Sequence, residues 1–244
     1  MKQQHCPHDS WANYYDFVYE TTYGVFYKNI TEQSLNIIEN VLPTGKILDM
    51  GAGTGRMSIP LSKKGYNITA IERSANMYKI LKQKSKQNNI DINILNLPIL
   101  DYNGSENNMV LCLFTVLNYI LDEDELEKTI SIIKNSLVNN GYIFFDIAEK
   151  VFFNIRQLIN INRDYLQRKV IVNPTDVKDI YSYTEECGGI FNGQSFKYTD
   201  EFKIRYWEPV TVINKFIDAG FEIFSDYSEQ FKNTGSAYFV LKKK

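Results

Sequence analysis

Cysteine is scarce and scattered: the three thiols in 244 residues, at positions 6, 112 and 187, form neither a disulfide framework nor a metal-ligand spacing. That excludes a stapled secreted scaffold and assigns no metal. Histidine is scarcer still. His5 and His8 both stand in an opening stretch expected to fray, so no histidine base is expected unless that end folds over a site. No apolar run approaches the roughly 18 residues that cross a bilayer, and the opening Met1-Lys2-Gln3-Gln4-His5-Cys6-Pro7 has no signal-type apolar core. A reducing cytoplasm and no membrane partner are expected. A basic excess is also missing. Lys plus Arg number 27 against 29 for Asp plus Glu, the net charge is −2 and the pI is near 5.8, so no face is built to neutralise phosphates and no nucleic-acid partner is expected. Lys242-Lys243-Lys244 reads as a solvated tail.

What the chain has is a 44% hydrophobic share, enough for a sizeable core, in a length that suits one α/β domain carrying an insertion. Its organising stretch is Ile47-Leu48-Asp49-Met50-Gly51-Ala52-Gly53-Thr54-Gly55-Arg56: an apolar strand, an acid, three alternating glycines, then a helical pattern. Glycines there allow positive φ and a close approach of ligand to backbone. A dinucleotide fingerprint wants glycine where Arg56 stands, and a phosphate loop wants Gly-Lys-Ser/Thr, which is absent. Asp49 at a strand end repels phosphate and suits a cationic ligand. Glu72 follows a second apolar run, Ile68-Thr69-Ala70-Ile71, where a βαβ unit places an acid on ribose hydroxyls.

Strand, acid, glycines, helix, strand and acid in this order resemble motif I of the class I S-adenosylmethionine-dependent methyltransferases. The resemblance implies a Rossmann-like α/β fold, with a seven-stranded mostly parallel sheet whose last strand is antiparallel, and S-adenosyl-L-methionine as cofactor. It implies cofactor contacts from Asp49, Gly51, Ala52, Gly53, Gly55, Arg56, Glu72 and Arg73, with Met77 leaning on the adenine. The family's usual adenine-binding acid after the third strand is missing, so Asn96 or its neighbour Leu97 takes that place, while Asp101 reads as too late in the chain. Leu113 and Phe114 at the end of strand four, and Tyr15 and Tyr27 from the aromatic-rich opening, complete the expected cofactor set.

Taken in order, residues 1–42 read as a helical cap with Thr31 starting a helix over Leu35, Ile38 and Leu42. Helices are expected at 56–64, from Ser74, at 123–139 with Asn140-Gly141 as stop, and from Pro209 to Gly220. Strands are expected at 91–95, 109–114 and 142–147, and Cys112 is a core residue of the fourth. Residues 163–207 change to period-two runs with an Asn192-Gly193 hairpin signal and read as an antiparallel β insert, a lid over the active site. Residues 221–224 and 237–241 close the sheet.

The carboxyl ends of strands four and five should border the methyl acceptor. No Asn/Asp-Pro-Pro-aromatic signature follows strand four, so the chain looks like the small-molecule branch of the family, which includes sugar-nucleotide N-methyltransferases. Asp146 and Glu149 emerge beside that crevice. Tyr119 and Glu149 are the candidate catalytic residues. Tyr15, Asn118, Tyr119, Glu149, Arg205 and Trp207 are the candidate acceptor-lining residues, with Arg205 gripping an anionic group such as a phosphate. A small-molecule acceptor, amine or hydroxyl, and a monomer or homodimer follow. Two other readings stay open: a non-catalytic S-adenosylmethionine-binding protein, and a methyltransferase acting on RNA or protein.

Overall fold

The computed structural model describes residues 6–154 and 157–244. His5 lies outside the described residues. In chain order the strands are β1 (Lys46–Met50), β2 (Asn67–Ile71), β3 (Asn93–Leu95), β4 (Asn107–Cys112), β5 (Leu137–Ala148), β6 (Gln157–Arg163), β7 (Leu166–Pro174), β8 (Ile180–Phe191), β9 (Gln194–Arg205), β10 (Phe221–Asp226) and β11 (Ser236–Lys243). The α-helices are α1 (Tyr15–Tyr23), α2 (Val25–Val41), α3 (Ser58–Lys63), α4 (Ala75–Gln87), α5 (Glu123–Ser136), α6 (Lys150–Asn154) and α7 (Pro209–Asp218).

The first sheet has seven strands in the order β10-β11-β5-β4-β1-β2-β3, and β11 is antiparallel to both its neighbours while the other pairings are parallel. This is the Rossmann-like arrangement with an antiparallel last strand that the sequence predicts. β4 is apolar throughout its second half because both its faces are covered. Val110 and Cys112 pack with Leu126, Ile130 and Ile133 of α5 and Val212 and Phe216 of α7; Met109 and Leu111 pack with Ile37 and Ile38 of α2, Leu61 of α3 and Leu81 of α4. Asp122 caps α5 by accepting the Glu125 N–H at 3.1 Å, and Ser74 caps α4 by accepting the Met77 N–H at 3.1 Å.

Two local expectations are corrected. Thr31 starts no helix: α2 begins at Val25 after Gly24 (φ 53°), and the Thr31 hydroxyl donates back to the Tyr27 carbonyl at 3.0 Å, inside the helix. Asn140-Gly141 stops no helix either. α5 ends at Ser136, and both residues lie within β5, where Asn140 has φ 63°. Pairing of β5 with β4 on one side and β11 on the other outweighs the helical spacing that Leu137 continues.

The second sheet is a meander, β6-β7-β8-β9, antiparallel throughout. The expected hairpin at Asn192-Gly193 joins β8 to β9. The strands are longer than expected and start earlier, at residue 157 rather than 163. β7 carries no period-two run clear enough to read, because the charged Arg168 and Lys169 occupy its interior. One of these, Arg168, is fully enclosed: its Nε and one terminal nitrogen donate to the Glu185 carboxylate at 2.8 and 3.1 Å, and both side chains are 0% exposed. Arg168 also donates to the Thr22 hydroxyl at 3.1 Å and lies over the rings of Tyr19 and Tyr23, while the Tyr198 hydroxyl donates to Glu185 at 2.7 Å. The pair thereby joins α1 to the second sheet.

Residues 8–14, expected to fray, are packed. Trp11 is fully buried, stacks on Tyr198 at 4.4 Å and donates its indole N–H to Asp200 at 2.9 Å; Tyr14 stacks on Phe196 at 4.3 Å. Asp9 accepts hydrogen bonds from the Ser74 hydroxyl at 2.6 Å and the Asn76 N–H at 3.0 Å, placing a carboxylate on the amino end of α4.

Removing one partner of an enclosed ion pair strands the other charge without water. Arg168→Met should therefore destabilise the fold by about 3–5 kcal/mol in denaturant unfolding, and adding Glu185→Leu should recover much of that loss. A double variant as unstable as the single one would mean that packing, not the stranded carboxylate, sets the cost.

Candidate active site

At the carboxyl end of β1 the chain must turn at once into α3. The Gly51 and Ala52 N–H groups donate to the Ile71 carbonyl at 2.9 and 3.0 Å, which ties the turn to β2. The three glycines serve two purposes. A Cβ on Gly51 (φ 73°) would sit 2.8 Å from Val116 Cγ2, and one on Gly55 (φ 95°) would collide with Leu81 and stand 2.9 Å from Ile59, so both permit close packing. A Cβ on Gly53 (φ 57°) meets nothing within 4 Å. Gly53 faces open cavity, and its freedom is needed for conformation and for a ligand's approach.

The acids are set by this turn. Asp49 is buried and accepts the Ser58 hydroxyl at 2.5 Å; burial raises its pKa to about 6 despite that bond and the nearby Arg56. Glu72 accepts the Gly53 N–H at 2.8 Å and the Ser74 N–H at 2.7 Å, and burial moves its pKa upward. Around these groups lies a cavity of about 490 Å³. Of the residues expected at the cofactor, Tyr15, Tyr27, Asp49, Gly51, Ala52, Gly53, Arg56, Glu72, Arg73, Met77, Leu97, Leu113 and Phe114 line it. Gly55 does not, because it packs on α4. Asn96 does not either: its amide donates to the Glu72 and Arg73 carbonyls at 2.8 and 3.1 Å and so serves the loop after β2. Asp101, set aside in the sequence, is on the cavity wall.

A second cavity, about 130 Å³, adjoins the first. Tyr27, Phe114 and Tyr119 line both and form the wall between them. The wall is held at the end of β4, where Phe114 (φ 72°) and Thr115 (φ 60°) are both left-handed. Such a conformation costs about 1–3 kcal/mol per non-glycine residue and persists only when its surroundings enforce it. Asp146, at the end of β5, enforces it by accepting the Phe114 N–H and, at 3.0 Å, the Thr115 N–H. Burial raises the Asp146 pKa to about 6, and the two N–H groups and Arg56 hold it from going higher. The Arg56 guanidinium lies over the Phe114 ring at 4.5 Å and the Tyr27 ring at 5.3 Å.

Of the residues expected at the acceptor, Asn118 and Tyr119 line the second cavity, and Tyr15 lines the first. Asn118 is fixed there by donating to the Arg205 carbonyl at 2.9 Å and accepting the Ala148 N–H at 3.0 Å. Glu149, Arg205 and Trp207 line neither cavity. Glu149 stands half-buried just past the end of β5, where its N–H donates to the Gly235 carbonyl. Arg205 stacks on Trp207 at 3.8 Å and donates to the Leu121 carbonyl at 2.9 Å, so it grips backbone and indole rather than a ligand phosphate. Trp207 is buried and donates to the Ile120 carbonyl at 3.0 Å. Unexpectedly, His8 lines the cofactor cavity, 2.8 Å from the Tyr119 hydroxyl, and Tyr19, Tyr23, Tyr183 and Phe202 line the second cavity. Only the density of aromatics between residues 11 and 27 hinted at such walls.

Residues 47–141 match the family model described as a methyltransferase domain. A carboxy-S-adenosyl-L-methionine synthase of Nautilia profundicola is 31% identical over 147 residues, 57% of this chain and 61% of that one. The chain spans about half the length of the curated relatives it matches. An S-adenosylmethionine-dependent methyltransferase of Clostridium acetobutylicum superposes with a TM-score of 0.81 over 95% of this chain and 98% of that one, at 19% identity. The S-adenosylmethionine-bound amino pentose methyltransferase CalS10 of Micromonospora echinaspora gives 0.71 over 93% and 97%, at 16% identity. Residues 47–141 thus resemble a methyltransferase domain, and the fold around them is the Rossmann-like fold shared with S-adenosylmethionine-dependent methyltransferases of known structure. S-adenosylmethionine is the cofactor of such methyltransferases, and the larger cavity suits it: an acid-lined volume, a glycine facing open space, and no lysine among the described residues of its wall.

Two outcomes follow. Gly53→Ala should cost about 1–2 kcal/mol of stability for the left-handed conformation alone, yet weaken cofactor binding by more than that, as read by calorimetry. Gly55→Ala should instead lower stability through its collision with Leu81 while leaving any folded fraction able to bind. The second outcome concerns pH. Asp49 and Asp146 have folded-state pKa values raised to about 6 from an ordinary 3.8, so they favour folding below pH about 4, and that contribution is lost as pH rises through 6. A sulfonium cation beside an ionised carboxyl reverses this preference, so binding below pH 6 must release a proton. The affinity ratio of S-adenosylmethionine to S-adenosylhomocysteine should fall about tenfold per coupled carboxyl between pH 7.5 and pH 5. A ratio that does not change with pH would remove both acids from the neighbourhood of the sulfur.

Proposed function

We propose that the protein transfers a methyl group from S-adenosylmethionine to the amine of a small molecule. The observation that carries this reading is the second cavity. Among the described residues its walls are largely aromatic, its one carboxylate is Asp146, and no lysine or arginine lines it. Aromatic faces with a carboxylate favour a cation such as an ammonium, whereas a phosphate or carboxylate would find no cationic partner among these residues. The volume, about 130 Å³, is close to the roughly 150 Å³ of a cavity that holds benzene, so it suits one ring or a short chain. That is compatible with the amino pentose substrate class named for CalS10. A stacked nucleobase with its sugar and phosphate is too large and too anionic for it, which disfavours RNA.

When bound, the cofactor supplies a methyl group already activated by a sulfonium. The chain's own task is to align and to exclude water. Tyr27, Phe114 and Tyr119 stand between the cavities, and Asp146 fixes the backbone that carries two of them close together in sequence with Thr115. Tyr119 is the residue we place against the acceptor nitrogen. Glu149, Arg205 and Trp207 take no part in this reading because they lie away from both cavities.

The test is transfer of isotopically labelled methyl from S-adenosylmethionine to amino sugars and monocyclic or short-chain amines, beside their hydroxyl counterparts and RNA and protein pools. Turnover is expected with amines and not with the hydroxyl counterparts or the pools. Label appearing in RNA or protein, or cofactor binding with no transfer to any amine, would overturn the reading. Asp146→Asn should lower turnover at least tenfold, since it removes the charge that both backbone N–H groups and the ammonium meet.

A further inference from the structure

We propose that Asp200, His8 and Tyr119 form a proton relay serving the acceptor amine; the proposal rests on the amine reading above. The three residues come from the second sheet, the opening segment and the end of β4, far apart in sequence. His8 Nε2 lies 2.8 Å from the Tyr119 hydroxyl, and His8 Nδ1 stands 3.3 Å from the Asp200 carboxylate, a charge contact that falls outside hydrogen-bond geometry. A ring nitrogen facing a carboxylate carries the proton, which leaves Nε2 as acceptor for the Tyr119 O–H. Tyr119 lines both cavities, so the chain of contacts ends where the acceptor and the cofactor meet.

The assembly is held more firmly than a surface histidine needs. His8 has a left-handed backbone (φ 66°), fixed by its N–H donating to Asp200 at 2.8 Å. Trp11 donates to the same carboxylate oxygen at 2.9 Å. The His8 side chain is 12% exposed and its ring meets the edges or faces of Trp11, Tyr15, Tyr119 and Phe202. Burial would raise the Asp200 carboxyl, but hydrogen bonds from His8 and Trp11 hold it down to about 2, so it stays charged at neutral pH. The other titratable or charged groups around His8 are Tyr15 on α1, Tyr119, Glu72 and Arg73 after β2, and its chain neighbour Asp9.

The proton balance is simple. An ammonium N–H bond breaks as the Tyr119 oxygen takes the proton; the Tyr119 O–H bond breaks as its proton moves to His8 Nε2. The nitrogen lone pair is left free to attack, Tyr119 ends neutral, and the positive charge resides on an imidazolium facing Asp200. Solvent takes the proton before the next cycle. Tyr119 is the group that touches the acceptor, while His8 and Asp200 are positioning residues that act through it.

The chain has only two histidines, so a His5→Gln background leaves one imidazole to observe. With ¹⁵N-labelled histidine, long-range ¹H–¹⁵N spectra of the cofactor-free protein should show His8 protonated on Nδ1, and Tyr119→Phe should shift the Nε2 signal. Protonation on Nε2 at neutral pH, or an Nε2 signal blind to Tyr119→Phe, would overturn the relay whether or not any amine is a substrate. In steady-state assays with the best amine, His8→Gln and Asp200→Asn should lower kcat about 100-fold at pH 7 with little change in cofactor affinity. The loss should shrink toward pH 9.5, where the amine deprotonates unaided. Added imidazole should partly restore His8→Gly. An equal loss at both pH values with no rescue would show that His8 is only a strut and would overturn the relay; if no amine reacts even with the parent protein, the amine reading fails and the spectra alone decide the relay's geometry.

Discussion

The Asp146 carboxylate is the constraint on which the site depends. It sits at the end of β5, buried, and accepts backbone N–H groups from two consecutive left-handed residues at the end of β4. Left alone, Phe114 and Thr115 would relax toward ordinary φ, and the wall between the cavities would go with them. Both strands are central in a parallel sheet whose faces are covered by helices, so neither end can shift to relieve the strain. The sheet thus provides more than a platform. Its register, Cys112 opposite Phe145, sets the carboxylate one residue beyond the last pairing and directly against the turn that it holds.

The enclosure around this wall comes from sequence far away. α1 and the second sheet close the cavities only because each is tied to the other: Arg168 reaches from β7 to Thr22, and Asp200 reaches from β9 to Trp11 and His8. These ties bury charge, and buried charge is costly unless each group is fully bonded. Arg168 and Glu185 meet that condition with a two-point contact plus tyrosine hydroxyls. The aromatic stacks add area, but the polar ties fix register, since stacked rings slide more easily than directional hydrogen bonds.

The contrast explains which parts could be read from the sequence. Residues 47–72 were legible because their chemistry is local: a strand end, positive φ at glycine, and an acid at the next strand end follow from neighbours in the chain. The hairpin at Asn192-Gly193 and the helix from Pro209 were legible for the same reason. Thr31 and Asn140-Gly141 misled, because a capping residue and a stop signal were overridden by contacts that extended α2 and β5. Arg205 misled differently. An arginine beside a tryptophan looks like a ligand grip, yet the guanidinium stacks on that tryptophan and bonds a backbone carbonyl. His8 was illegible because its meaning depends on Asp200 and Tyr119, and the opening stretch that holds it carries no periodic signal. Asn96 filled the slot of a missing acid by position, while its amide was already engaged by the loop after the neighbouring strand β2.

The same geometry separates the attraction of an amine from its activation. A carboxylate in an aromatic cavity draws an ammonium, but an ammonium has no lone pair, so the feature that favours binding opposes attack. Asp146 is ill suited to remove the proton itself. Its pKa of about 6 lies roughly four units below that of an alkyl amine such as lysine, and protonating it would weaken its hold on Phe114 and Thr115. Arg56 nearby makes protonation of Asp146 harder still. Glu72 is occupied by two backbone N–H groups, and Glu149 lies off the cavity. Tyr119, with an imidazole behind it and a carboxylate behind that, is the group on the shared wall that takes up a proton without dismantling the wall. In the proposed reaction, binding and deprotonation fall to different carboxylates on different sheets, Asp146 on the first and Asp200 on the second, and the reacting nitrogen would lie where the two meet.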